Sequence, residues 1–279
     1  MPPVRPHRSV PPTNPTKHML FRVRGKTGAT VYLLGSVHLL TADASRLPAE
    51  VDSAFSHASV VAFEVNTDTA KARAQELVLR GRNPTGVTLR SLLSAPAAAR
   101  TDTLFHAYGM SLDMLASLKP WLASVMMSQL AMQKNGFQPQ FGVDQQIDAR
   151  AHAAGKEIVG LESMDAQLSL FDGLSAGDQE KMLVSGHTPD SASIELSRVK
   201  EAWVNGNLSQ LDSLLNRTIP SPTLLSAMVT DRNKAWTPEI EDLLHGSCDA
   251  LIVVGAGHLV GKQGLLELLR LKGYSIEQL

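Results

Sequence analysis

Cysteine is almost absent: Cys248 is the only one among 279 residues, which excludes an intrachain disulfide and any cysteine-based zinc or iron–sulfur centre. That absence does not exclude export, because many exported proteins lack disulfides. An excess of one charge is also missing. The 26 Lys and Arg against 27 Asp and Glu give a net charge of −1 with the signs interspersed, so there is no basic stripe and nucleic acid is not an expected partner. Long apolar runs are lacking too. The nearest to one is WLASVMMSQLAM, residues 121–132, which is too short to span a bilayer and reads as a core helix, so no membrane span is expected. The opening MPPVRPHRSVPPTNPTK has no apolar core of a secretory signal, and residues 1–18 read as a disordered, proline-rich arm.

What is present is an ordinary globular composition, 43% hydrophobic and 19% charged, in a chain long enough to bury a sizeable core. Short β-branched or leucine-rich runs predict strands at 29–35, 59–66, 156–162 and 249–255, with a further strand near Tyr274 to Gln278. Their near-continuous apolar character is that of strands covered on both faces. Helices are expected from Pro48 through Phe55, from Pro120 to just before Gly136, from an Asp190 cap to near Gly206, and from Ser221-Pro222 towards Trp236. Another is expected to start at Thr237-Pro238-Glu239 and to stop at Gly246. These elements give an α/β domain over 19–279, a mostly parallel or mixed sheet with helices on both faces and helical insertions at about 67–140 and 163–245.

One motif occurs twice. LLGSVHLL (33–40) and VVGAGHLV (253–260) each leave a strand through Gly-x-x-His, placing His38 and His258 just beyond the carboxyl ends of two strands. The other two strands deliver Glu64 and Glu162 to equivalent places. Ligands of open α/β sheets bind at those ends, so four ionisable side chains are expected in one cleft. Gly35 and Gly255 suit the exits, and a helix start near Gly261-Lys262-Gln263 would offer amides to an anion.

Two histidines with one or two carboxylates suit Zn²⁺, Mn²⁺ or Co²⁺. A divalent ion with an open position polarises a carbonyl and acidifies its water, which makes hydrolysis the expected chemistry. Against this stands a structural role for each residue. Either histidine serves equally as a hydrogen-bonded loop residue, and Glu162, ahead of Ser163-Met164-Asp165, as part of a helix cap. His57, His106, His152 and His245 read as surface or supporting residues, and His187 as an exposed loop residue.

The segments MLFRVRGKTGATVYLLGSVHLL, VVAFEVN, FGVDQQIDARAHAAGKEIVGLESMDAQLSLF, DRNKAW and LIVVGAGHLVGKQGLLELLRLKGYSI together resemble the TraB/PrgY/GumN family, related to the Tiki proteins, and most of all its GumN-type bacterial branch. The likeness runs from about residue 19 to 279. It implies a fold like that of erythromycin esterase and the haem-binding ChaN proteins, and an extracytoplasmic (periplasmic) location. It implies metal-dependent proteolysis of a peptide or protein substrate, with His38, His258 and Glu64 at the centre. Its FGVD, GLES and DRN segments fall here on Asp144, Glu162, Arg232 and Asn233.

Three readings are open. In the first, His38, His258 and Glu64 hold a divalent metal, with Glu64 either ligand or base, Asp144, Glu162 and Asn233 orienting the ligands, and Arg232 stabilising an oxyanion or simply paired with a carboxylate. In the second, a histidine and a glutamate activate water without metal. In the third, the cleft sequesters a peptide without turnover. The branch is also associated with exopolysaccharide production, by operon name alone.

Overall fold

A computed structural model describes residues 17–25, 28–186 and 188–279, without the side chains of 216 and 217. The expected arm falls outside the described residues except for its last two, as does His187. Six strands form one mixed sheet: β1 (Leu20–Arg24), β2 (Thr30–Ser36), β3 (Val60–Val65), β4 (Glu157–Glu162), β5 (Ala250–Gly255) and β6 (Ser275–Gln278). Their order across the sheet is β4-β3-β5-β2-β1-β6. The first four of that order run parallel, while β1 pairs antiparallel with β2 and with β6.

The parallel strands are those whose sequences read as apolar runs, and β5 buries Ala250 through Val254 completely. β1 escapes the sequence reading because it is only five residues long and includes Arg22 and Arg24, although Leu20, Phe21 and Val23 are buried. The main core joins both faces of the sheet to Val143, Ile147, Ala151, Trp203, Trp236 and Ile240 on the flanking helices. A second apolar cluster, around Phe105, Leu112, Trp121 and Leu122, lies within the helical segment between β3 and β4.

Three expected helix boundaries differ. Thr237-Pro238 does not start a helix: Pro222–Leu225, a π-turn at Ser226–Thr230 and Asp231–His245 run on without a break. Proline inside a helix removes an amide donor and crowds the preceding turn. Here Thr237 donates its hydroxyl to the Asn233 carbonyl at 2.7 Å, in the turn that precedes the proline. Asp190 lies in the first turn of Pro189–Val204, whose cap position is Thr188. After β5 the chain makes a 3-10 turn at Ala256–His258, and the next helix starts only at Leu265, so 261–263 offers no row of helix-terminal amides.

Candidate functional site

The parallel pairing puts the carboxyl ends of β4, β3, β5 and β2 side by side, and each carries its polar residue there. Glu162 ends β4, Glu64 is the penultimate residue of β3, His258 follows β5 in the 3-10 turn, and His38 lies two residues past β2. Two helix starts complete the ring. Val143–Ala153 brings Asp144 in its first turn, and Asp231–His245 brings Arg232 and Asn233 just after the π-turn. A π-turn is a local insertion often found at functional sites.

His38 is held by Asp144, whose Oδ2 lies 3.0 Å from Nδ1, while Ser36, buried at the end of β2, donates to Oδ1 of the same carboxylate at 2.9 Å. A carboxylate only accepts, so Nδ1 of His38 carries a proton, and Nε2 is the nitrogen not tied to Asp144. Gly142 makes the junction possible. A Cβ there would stand 2.0 Å from the His38 carbonyl oxygen, and the next amide, Val143, donates to the Val37 carbonyl at 3.1 Å. The sequence reading named Asp144 but missed Ser36; the signal available was a serine inside Gly-x-x-His at an otherwise apolar strand end.

His258 is buried, its ring 4.5 Å from that of Trp236. Asn233 donates through Nδ2 to the carbonyls of His258 and Gln263, at 3.1 and 2.8 Å, so its Oδ1 is the acceptor 2.7 Å from His258 Nδ1. The proton is therefore on Nδ1 here too, and the Nε2 lone pair is available. Arg232 Nη1 occupies it at 3.2 Å.

Arg232 is the hub. Its Nη2 reaches Glu64 Oε2 and Glu162 Oε1, each at 2.6 Å, its Nε donates to Glu162, and the guanidinium lies 4.5 Å over Trp236. Glu64 also accepts the Gly255 amide at 2.8 Å, and Glu162 accepts from Trp236 Nε1 at 3.2 Å. Glu162 is free for this because Ser163, not Glu162, caps the helix Met164–Asp172.

Three carboxylates and one guanidinium leave the cleft short of positive charge. Burial works against ionising Glu64 and is the largest influence on it, but charges on His258, Arg232 and His38 and the Gly255 amide outweigh it and hold its pKa down to about 2. Burial pushes His258 down to about 4, so its own pull on Glu64 operates only in acid, and at neutral pH Arg232, with a smaller share from His38, carries it. His38 is raised to about 9, first by the charge of Asp144 and then by its hydrogen bond. Its side chain is 66% exposed at the mouth of the cleft, so solvent screens that pair.

The donor chemistry suits a borderline divalent cation: two imidazoles with Nδ1 tied by fixed acceptors, and a carboxylate ionised at all ordinary pH values. The placement suits it less directly. Among the described residues no three metal-capable side chains converge on one point, and Arg232 holds both His258 Nε2 and Glu64. A cation at His258 would require that guanidinium to swing aside.

Four other histidines lie away from this cluster. His57 and His106 bond to carbonyls of their own helices, His152 to Asp68 and Asp148, and His245 to Tyr274. A cleft of about 650 Å³ bounded by Met19, Leu47, Lys200 and Trp203 contains none of the site residues. A smaller one, about 440 Å³, includes Glu162. No helix among the described residues is long and apolar enough to cross a membrane.

A family model described as the TraB/PrgY/gumN family matches residues 19–278. Two relatives called "Uncharacterized protein YbaP", from Escherichia coli strain K12 and from Shigella flexneri, are each 23% identical over 242 residues, covering 86% of this chain and 87% of the relative. No solved structure is a significant match.

Proposed function

The chain belongs to the TraB/PrgY/gumN family, and from that membership and the site geometry we propose that it is a hydrolase of peptide bonds, with a divalent metal held by His38, His258 and Glu64. The observation that carries the reading is that both Gly-x-x-His histidines have Nδ1 tied to a fixed acceptor, Asp144 or Asn233, which makes Nε2 the nitrogen left for a cation once it displaces Arg232 from His258 and the Nε2 proton from His38. Metal-binding histidines are characteristically braced in this way.

When bound, the cation would supply a water acidified towards neutrality and a Lewis acid for the scissile carbonyl. The protein's own groups divide the remaining work. Glu64, held near 2, is a poor proton acceptor at neutral pH, which favours it as a ligand or charge-holding carboxylate over a base. His38, braced at Nδ1 by Asp144, is confined in this reading to holding the cation through Nε2. Arg232 balances the charge of Glu64 and Glu162, and the N–H it now gives to His258 Nε2 would be freed for a developing oxyanion when a cation takes that nitrogen.

One observation favours a second reading without metal. Arg232 already lies on Nε2 of His258 and supplies the cation that the two glutamates demand. In that version His38 and Asp144 act as the acid–base pair and Arg232 as the electrophile.

Elemental analysis of protein purified without chelator, with hydrolysis of a defined peptide set, separates the two. Near-stoichiometric Zn, Mn or Co, and activity lost to chelator and restored by one of these ions, supports the first. Peptide hydrolysis that persists with no bound metal and no response to added ions leaves the second. No hydrolysis in any metal state rejects both.

A further inference from the structure

The sheet ends on the site's side in β4, and among the described residues no strand lies beyond it. A strand with one partner leaves about half of its backbone hydrogen-bonding groups facing outward, and proteins usually blunt such an edge with lysine, proline or a covering segment. The middle of β4 has no lysine or proline, and Asn66 alone reaches over it: Ile158 and Val159 are half-buried and Gly160, against which the Asn66 backbone packs, is exposed. The Ile158 carbonyl accepts from the Asn66 side chain at 2.8 Å, and no other backbone group of Glu157–Glu162 bonds to a described segment outside the sheet. At the sheet's other end, β6 is only four residues long, and its Glu277 and Gln278 side chains are tied back to Arg22, His18 and Gly206.

The open edge is also grooved. The 440 Å³ cleft at the carboxyl end of β4 is lined by Gly160 and Glu162, by Val65 at the end of β3, by Asn66, Thr69 and Arg73, and by Glu239. Glu162 belongs to the cleft and to the Arg232 cluster alike, so the groove leads into the site. Arg73 is already spent on Glu76 and Asp165, whereas Glu239 is exposed and has no ion-pair partner among the described residues. The unanswered charge in the groove is therefore negative.

We infer that an extended peptide docks as an added strand along the outer edge of β4, with a lysine or arginine beside Glu239 and its backbone led past Glu162 towards Arg232. Strand addition takes its affinity from main-chain bonds and its selectivity from alternate side chains, which suits a peptide of varied sequence marked by one basic residue. Cleavage of the docked peptide rests on the peptide-hydrolase reading; docking itself does not.

The test uses the full chain carrying Glu64→Gln, to suppress turnover, and twelve-residue peptides with lysine at successive positions. Hydrogen exchange read by mass spectrometry should slow at the amides of 158–163. Methylating alternate peptide nitrogens should weaken binding by about 3- to 10-fold per blocked bond, and adding Glu239→Lys should shift preference from lysine to glutamate peptides. Protection absent from 158–163 for every peptide, or confined to 43–52 and 200–205, overturns the inference, as does equal binding of all N-methylated peptides. Protection at β4 with no hydrolysis by the wild-type chain would leave docking standing and reject the hydrolase reading.

Discussion

Asn233 determines which nitrogen of His258 is free: its amide donates to two carbonyls, so its oxygen must accept from Nδ1 at 2.7 Å. Asn233→Leu keeps the volume but removes all three bonds. Leaving the buried Nδ1–H without an acceptor should cost about 1–3 kcal/mol, read as a fall in the urea midpoint. Hydrolysis should fall further than stability accounts for, because the ring loses its fixed tautomer. An unchanged midpoint would show that Asn233 does not hold the ring.

Arg232 separates two carboxylates whose side chains are only 14% and 11% exposed. Arg232→Met should destabilise the fold by about 3–5 kcal/mol, the usual consequence of stranding buried charge. Arg232→Lys should recover part of this, since an ammonium keeps the charge but not the planar fork that serves Glu64, Glu162 and His258 together. Equal stability of the methionine variant and the wild type would contradict the charge balance described for the cleft.

Gly142→Ala places a methyl group 2.0 Å from the His38 carbonyl oxygen, where backbone must yield. The expected cost is about 1–3 kcal/mol, with a larger loss of activity because the displaced backbone carries His38. Gly177→Ala is the control. It lies within the helix Ala176–Val184 with its nearest neighbour atom 3.9 Å from an added Cβ, so a gain of about 0.5–1 kcal/mol is expected there.

The metal-free protein should be most stable near pH 6.5. The depressed pKa of His258 contributes stability that is complete above its unfolded value of 6.5 and lost as pH falls through about 4, and Glu64 adds a second loss between 4.5 and about 2. His38 behaves oppositely: its raised pKa contributes below 6.5 and is lost as pH climbs through about 9. Urea midpoints measured across pH after chelator treatment check this, and His38→Ala should flatten the alkaline limb most, with a smaller softening of the acid limb because the charge of His38 helps hold Glu64 and His258 down.

The carboxyl-end cluster was legible because β2, β3, β4 and β5 are apolar runs, and an ionisable residue at the end of such a run has few structural excuses. His38, Glu64, Glu162 and His258 were found that way, and the parallel order of their strands gathers them. Asp144, Arg232 and Asn233 came from likeness to the family, because nothing in a helix start such as VDQQ or DRNK declares which way it faces. Ser36 was hidden because a serine at a strand end has many ordinary uses. The passage of Pro238 through a helix was misread because Thr-Pro-Glu is a good cap sequence, and the back-bond from Thr237 to Asn233 that accompanies it is not visible in one dimension. β1 was lost to its shortness.

The central claim is that His38, Glu64 and His258 form one hydrolytic centre. Its most direct test is peptide cleavage, read by mass spectrometry, by the wild-type chain and by His38→Ala, His258→Ala and Glu64→Gln, each checked for folding. Cleavage at internal peptide bonds is expected of the wild type, with near-complete loss in all three variants. A wild type that binds peptides without cutting them, or a folded His38→Ala or His258→Ala variant that cuts at the wild-type rate, would contradict the claim.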